Sequence, residues 1–358
     1  MTEVIVIGGG YAGVLAANRL TADPAVHVTL INPRSRFVER IRLHQRVAGT
    51  HDATVDYSRV LAPRVDRIAG TVELIDAAAR TVTLESGATA RYDYLIYAVG
   101  STGAPVPDGA HSLATFEQAE QIELTGGPVT VVGAGPTGIE TAAELAERGH
   151  PVTLATGGTL GPYLHPRTRR HVAARLAALH VEVSDQRVTR PSGLTVWTTG
   201  FAVPDLAARS GLSTDAAGRL LTDETLTSVD DDRIVAAGDC AAPSGRPLRM
   251  SCQAAGPLGM HAADTVLARI AGRQPGLFVA GFLGQCLSLG RRYGVFQFAA
   301  RNDVAGPRYL GGRAAAVLKE AVCRSTVAQL GMEARRPGRF HLPAWAGDRE
   351  RRRILENA

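Results

Sequence analysis

The sequence twice runs from a short apolar stretch through a glycine-rich turn into a small-residue helix and a second apolar stretch. Val4 to Asn32 reads VIVIGGGYAGVLAANRLTADPAVHVTLIN, and Val129 to Thr156 reads VTVVGAGPTGIETAAELAERGHPVTLAT. Gly8, Gly10 and Gly13 keep the G-x-G-x-x-G spacing, and Gly133, Gly135 and Gly138 repeat it. Ala17 and Leu20 answer to Ala142 and Leu145, and the closing Val28-Thr29-Leu30 answers to Val152-Thr153-Leu154. A loop of this kind joins a strand to a helix, where backbone N–H groups and the positive helix end can hold a pyrophosphate. The first glycine permits the tight turn, the second lets phosphate approach the backbone, and the third lets helix and strand pack closely. One such match is a weak signal, because glycine turns also connect ordinary strands and helices. Two matches in the same strand–loop–helix–strand context favour two dinucleotide-binding units over two plain βαβ units.

A chain of 358 residues accommodates two or three domains. At 45% hydrophobic and 20% charged, it has the composition of an ordinary soluble globular protein. The net charge is +5, and the 39 Lys and Arg include a single Lys, Lys319. In a chain this rich in Ala and Gly, that bias is a compositional habit. The arginines are scattered outside the C-terminal tail, which argues against a nucleic-acid partner. No run approaches the roughly 18 apolar residues of a membrane span, and no charged start precedes an apolar core. The expected location is therefore the cytoplasm, with peripheral contact at a membrane surface as the less favoured alternative. Cys240, Cys252, Cys286 and Cys323 show no C-x-x-C spacing and are expected to be reduced thiols. No cluster has metal-ligand spacing, so no metal is expected.

In chain order, Asn32 stands where an Asp or Glu usually holds the ribose hydroxyls of a dinucleotide. Arg34 and Arg36 follow, either to neutralise phosphate or as solvated loop residues. Ile41–Val47 has helical spacing, and His44 and Gln45 on it either face a cofactor or are structural. Residues 53–92 read as a β-meander. Tyr92 to Gly100 is a buried-type strand ending in Ala98-x-Gly100, where a chain can cross close to a bound dinucleotide. A linker helix is expected over 112–124, and the second unit's helix from about Pro136 to Arg148. Thr156 is the counterpart of Asn32 and again lacks a carboxylate. No Arg follows it until Arg167, so the choice between NADH and NADPH stays open. A helix is expected over 165–179. Leu194–Trp197 ends at Thr198-Thr199-Gly200 and mirrors the strand before Gly100. Small residues at 236–238 precede Asp239, which can bond a polar chain or simply cap a turn. A helix from about Leu258 to Ile270, a β-rich stretch over 277–310 and a helix from Gly312 to about Leu330 complete the series. On that last helix Val317, Leu318, Ala321 and Val322 form an apolar stripe, with Lys319, Glu320 and Arg324 polar. It is read as packing on its own core, ahead of membrane-surface or dimer contact. The Arg-rich tail, 335–358, is read as partly ordered and solvated.

This ordered set of motifs resembles the two-dinucleotide-binding-domain flavoproteins of the pyridine nucleotide-disulfide oxidoreductase superfamily. Within it, the chain looks most like the type II NADH dehydrogenase and apoptosis-inducing-factor-like branch, over roughly residues 3–270. The resemblance implies an α/β fold with two Rossmann-like domains, an FAD-binding domain carrying an inserted NAD(P)H-binding domain, plus a small C-terminal α+β region. The implied boundaries are 1–115 and 236–280 for the FAD domain, 116–235 for the NAD(P)H domain and 281–358 for the cap or interface region. FAD would meet Gly8, Gly10, Tyr11, Ala12, Gly13, Asn32, Arg40, Ala98, Gly100, Gly238, Asp239, Gln253 and Ala254. NADH or NADPH would lie along Gly133, Gly135, Gly138, Glu140, Thr156 and Gly200.

Two departures matter. Residues 1–120 and 121–235 contain no Cys, which disfavours a disulfide relay. Ser251 to Pro257 is similar to the Ala-Gln-x-x-x-Gln segment on the quinone side of type II NADH dehydrogenases; Gln253 matches, but Pro257 replaces the second Gln. The implied function is hydride transfer from NAD(P)H to flavin N5 and onward transfer to a quinone or another small molecule such as a pathway metabolite. The protein would supply orientation and electrostatics rather than an acid–base triad. Glu140 would orient the nicotinamide end or serve the core; Gln253 and His44 would lie on the acceptor side. The alternative is a flavoprotein in which nucleotide binding regulates assembly, such as a homodimer, or partner binding, with little turnover.

Overall fold

Strands buried on both faces read as continuous apolar runs and form parallel sheets covered by helices. Val4–Ile7 and Tyr94–Tyr97 are of this type, buried at every position. The computed structural model describes residues 1–341 and 347–356 of the chain. Its first five-stranded sheet has the order Ile234–Ala236, Tyr94–Tyr97, Thr2–Ile7, Val26–Ile31, Val65–Ile68. The second has the order Ala110–Ser112, Leu194–Trp197, Val129–Val132, Val152–Ala155, Glu182–Ser184. All these pairings are parallel. Helix α1 (Tyr11–Leu20) follows the central strand of the first sheet, and α2 (Leu43–Val47) lies beyond its second strand. In each sheet the glycine loop leaves the carboxyl end of the central strand, where the strand order reverses, which is the usual ligand crevice of such sheets.

The duplication extends to single hydrogen bonds. Gly8 N–H donates to Ile31 O at 2.9 Å, and Gly133 N–H donates to Ala155 O at 2.9 Å. Ala98 N–H donates to Ile7 O and Thr198 N–H to Val132 O, both at 2.9 Å. The edge strand Ala110–Ser112 breaks the parallel, because it joins the second sheet from upstream of that unit. It takes up the start of the linker helix expected over 112–124. What remains is α3 (Phe116–Glu120), started by a capping box between Thr115 and Gln118. The expected meander is the antiparallel set Val72–Asp76, Thr81–Leu84 and Thr89–Arg91, whereas Val65–Ile68 joins the first sheet.

The second unit contributes α4 (Pro136–Glu147) and α5 (Pro166–Ala178), followed by the short α6 (Leu206–Arg209). Helix α7 runs Cys252–Ile270 and begins earlier than Leu258. Ser251 Oγ caps it by accepting from Ala254 N–H at 3.3 Å. Pro257 sits inside the helix, where it lacks the N–H that would reach the Gln253 carbonyl. Helices α1 and α7 pass so closely that a Cβ on Gly259 would stand 2.3 Å from the Ala12 carbonyl oxygen.

An antiparallel sheet of Gly284–Ser288, Gly294–Ala299 and Ala305–Gly311 leads into α8 (Gly312–Arg335). The buried side of α8 is Ala315, Lys319 and Cys323, not the expected stripe; Val317 is 71% exposed. The reason is electrostatic, since Lys319 turns inward to a buried carboxylate. Buried Arg19 of α1 joins α7 and α8, reaching Asp264 at 2.5 Å and Glu333 at 3.1 Å. The tail is not simply solvated. Helix α9 (Arg349–Glu356) docks through Arg351, 2.7 Å from buried Glu224. Residues 342–346 and 357–358 of the tail lie outside the described residues. Among the described residues, no helix is long and apolar enough to cross a membrane.

Candidate active site

The first glycine loop shows what its spacing is for. A Cβ on Gly13 would lie 1.8 Å from the Gly8 carbonyl oxygen, and one on Gly8 would lie 2.2 Å from Ala98 O. The second loop repeats this: a Cβ on Gly138 would lie 2.2 Å from Gly133 O, and one on Gly133 would lie 2.3 Å from Thr198 Oγ1. Gly10 and Gly135 face open space, and each is the N-cap of its helix without a side-chain cap. The first-turn N–H groups of α1 and α4 are therefore left for an external acceptor, as a pyrophosphate requires. Gly100 also faces open space, while Gly200 brings a Cβ position 3.0 Å from Ala104 Cβ. The hydroxyls of Tyr11 and Tyr163 are shut off from solvent with no hydrogen-bond partner. Uncapped N–H groups, open glycine faces and orphaned hydroxyls fit a dinucleotide at each loop.

Asn32 is drawn into the protein. Its Oδ1 accepts from Gly9 N–H at 3.0 Å, and its Nδ2 donates to Arg34 O at 3.0 Å and Tyr57 OH at 3.1 Å. Both amide hydrogens are thus committed, leaving acceptor capacity alone for a ribose. Arg34 is paired with Glu117 at 2.6 Å. Arg40 donates to Ser101 O and Oγ at 2.9 Å and to Ala114 O at 3.0 Å. Ser101 Oγ donates in turn to Asp239 at 2.6 Å. Arg40, Asp239 and the segment just after Gly100 therefore form one polar wall, with the small residues Ala98 and Gly238 beside α1. A Cβ on Gly238 would stand 3.1 Å from Ala12 Cβ.

Glu140 lies at the meeting of four elements. Its Oε1 accepts from Ser288 N–H at 2.8 Å and from Ser288 Oγ at 3.3 Å, and it stands 3.0 Å from Lys319 Nζ. His44 Nε2 is 3.3 Å from Ser288 Oγ. Side chains from α2, α4, the C-terminal sheet and α8 thus converge, and all are buried. Burial pushes the Glu140 carboxyl up, but Lys319, His44 and the Ser288 N–H outweigh it and hold the pKa below the usual range. Lys319 is raised against its own burial by Glu140. Tyr163 is raised by burial and then by Glu140.

Burial pulls His44 down to about 4 from 6.5, so it is neutral at pH 7. Between those values the unfolded chain binds a proton there and the folded chain does not. Stability must fall as pH drops through that window, by about 3 kcal/mol for this group. His44→Gln is expected to give a shallower loss of stability between pH 7 and pH 4.5, read from urea midpoints. Equal slopes for the two proteins would remove the buried neutral imidazole from the account.

Gln253 sits at the start of α7. With its amide nitrogen toward Gly284 O (3.0 Å) and its oxygen toward Leu283 N–H (3.0 Å), it ties α7 to the C-terminal sheet. Ala254 follows it, buried, in the capped first turn. Thr156 donates to Gly158 O at 2.6 Å and lines a pocket of about 490 Å³ with Glu182 and Asp185. Glu140 and His44 are therefore brought together, Gln253 borders the same sheet, and Thr156 lies apart from them. Lys319 and Ser288 were not singled out from the sequence. The signal for Lys319 was present: it is the one Lys in a chain that otherwise uses Arg throughout.

Comparison with known proteins bears on the fold and the family. The profile of the pyridine nucleotide-disulphide oxidoreductase family matches residues 2–259. An NADH dehydrogenase-like protein of Mycobacterium tuberculosis is 30% identical, with 75% of this chain and 80% of that protein covered. A type II NADH:quinone oxidoreductase of Staphylococcus saprophyticus is 25% identical, with 92% and 96% covered. Among solved structures, the sulfide:quinone oxidoreductase of Aquifex aeolicus superposes with a TM-score of 0.77 at 20% identity, covering 100% of this chain and 95% of that one. The chain belongs to the pyridine nucleotide-disulphide oxidoreductase family, and it is an NAD(P)H-dependent oxidoreductase that works with FAD.

Proposed function

We propose that this protein passes electrons from NADH, by way of FAD, to a quinone or a similar small acceptor, without a redox disulfide. The observation that carries the reading is the buried Glu140–Lys319 pair, 3.0 Å apart, beside Ser288 and His44. Bound FAD supplies two-electron chemistry between nicotinamide and acceptor. Reduction of a quinone to a quinol consumes a hydride equivalent and one further proton. In this reading Lys319 Nζ holds that proton away from bulk water, while Glu140 fixes the ammonium and Ser288 N–H helps to keep the carboxylate ionised. Gly10 and Gly135 leave the helix ends open for the two pyrophosphates.

The thiols support a route without sulfur. All four cysteines are free. Burial pushes Cys240 up to about 12 and Cys323 up to about 11, and it raises Cys252 and Cys286 as well, so each is held as a thiol rather than a reactive thiolate. The acceptor class is supported by the relatives named type II NADH:quinone oxidoreductase. The pocket at Thr156 supports NADH over NADPH. Two carboxylates and no arginine line it, and Arg187 only borders Gly157 at its rim.

The test is an anaerobic visible spectrum of the FAD-loaded protein. NADH is expected to bleach the flavin at least about tenfold faster than NADPH, the scale of one unfavourable charge contact. A soluble quinone is then expected to restore the colour within the time of a turnover. Slow bleaching that leaves a long-lived charge-transfer band, with no quinone able to discharge it, would overturn the reading in favour of nucleotide-regulated binding.

A further inference from the structure

We infer that the open pocket between α5 and the C-terminal sheet binds a nucleoside di- or triphosphate, at a site separate from both glycine loops. The pocket has a volume of about 750 Å³. That is within the usual range for small-molecule sites. It shares no residue with the pocket at Thr156.

Its charge is one-sided. Arg167, Arg170 and Arg308 line it, and no carboxylate does. Among the described residues, none of the three forms an ion pair, whereas Arg175 on the same helix pairs with Glu147 at 3.4 Å. One of the three, Arg167, also stands where the helix itself disfavours it. Helix α5 opens at Pro166 with no acidic residue in its first turn, which carries Arg167 and Arg169, and Arg170 follows in the second turn. The positive end of the macrodipole repels cations at that end. Charge repulsion within the cluster and repulsion by the helix end are both relieved by an anion from outside the chain. Guanidinium groups grip phosphate through paired N–H donors, which fits more than one phosphate here.

The other wall is aromatic. Phe298 is 47% exposed and Tyr309 is 36% exposed. His171 lies 5.0 Å from Tyr309 and 5.6 Å from Tyr293, ring centre to ring centre. Exposed rings beside guanidinium groups offer a stacking face for a planar base. The walls are also held in place before any ligand arrives. The two N–H groups of Gln297 Nε2 are shared among the carbonyls of Phe298, Gly306 and Arg308 at 2.9, 2.7 and 3.0 Å, and its Oε1 accepts from His165 N–H at 3.3 Å. This one side chain joins both strands of the pocket to the start of α5. A ligand seated there would bridge the second dinucleotide unit and the C-terminal sheet.

The experiment is calorimetric titration of the FAD-loaded full chain with ATP, pyrophosphate and adenosine, in saturating NAD⁺ so that the nucleotide loops are filled. ATP is expected to bind most tightly, and high salt to weaken it. Arg170→Glu combined with Arg308→Glu is expected to lower ATP affinity by about tenfold or more, while NADH still bleaches the flavin at the wild-type rate. Arg167→Glu combined with Arg170→Glu is expected to act likewise without lowering the thermal midpoint, since it removes the clash of Arg167 with the helix end. The proposal is overturned if ATP does not bind, if NAD⁺ displaces it, or if the variants bind it as well as the wild type. It is also overturned if the arginines bind vesicles of phosphatidylglycerol but no soluble nucleotide, which would make this a lipid surface.

Discussion

Gly13→Ala is expected to give a protein without FAD and with stability lowered by about 3 kcal/mol or more. The new Cβ would stand 1.8 Å from the Gly8 carbonyl oxygen and 3.4 Å from Ala98 Cβ. The nearest neighbour is backbone, so no side-chain rotation relieves the contact. Relief requires α1 to move away from its strand, but α7 closes the other side, where Gly259 meets the Ala12 carbonyl. Gly138→Ala creates the matching contact in the second unit, 2.2 Å from Gly133 O. It is expected to leave the protein yellow but unreduced by NADH. Flavin absorbance per chain and the thermal midpoint measure the first effect, and bleaching by NADH measures the second. A Gly13→Ala protein with full flavin content and an unchanged midpoint would overturn the role assigned to close helix–strand packing.

Lys319→Met is expected to cost about 3–5 kcal/mol, because it leaves Glu140 as a buried carboxylate without its cation. The two side chains are only 10% and 8% exposed. Glu140→Gln combined with Lys319→Met removes both charges and is expected to recover most of that loss. Quinone turnover is expected to remain low in the double variant, since the proton held at Lys319 is gone. Lys319→Arg is not a conservative replacement. The guanidinium is larger and spreads its charge over a plane, whereas this site holds a compact ammonium between Glu140 and the Cys286 carbonyl, 3.4 Å away. Urea unfolding of the two single variants and the double variant gives the coupling energy directly. Additive effects would show that the pair is not a unit.

Much of the fold could be read from spacing. The two glycine loops, their strands and their helices fall where the repeat put them, because each needs only neighbours along the chain: a turn with φ of +108° at Gly8 and +142° at Gly133, an apolar run, and small residues on one helix face. Where the reading missed, long-range burial overrode local pattern. The stripe of Val317, Leu318, Ala321 and Val322 satisfied helical periodicity, yet α8 turned Lys319 inward. The helix expected over 112–124 gave way at its start to an edge strand that the second sheet recruits from upstream. Helix α7 began early because the Ser251 cap and the close contact with α1 outweigh one proline.

The candidate site divides in the same way. The tight turns and open helix ends at Gly8, Gly10, Gly13, Gly133, Gly135 and Gly138 were legible because they are properties of local backbone. Glu140 and His44 were visible only as candidates. By itself, the amino-acid order determined two nucleotide-binding units, the absence of cysteine from the first 239 residues, and the family to which those features point. Tertiary structure alone decided that Glu140 meets Ser288 across 148 positions, with Lys319 and His44 closing around them. The physical reason is that a buried charge is tolerable only where a partner has been carried to it, and docking of the C-terminal sheet and α8 on the second unit supplies that partner.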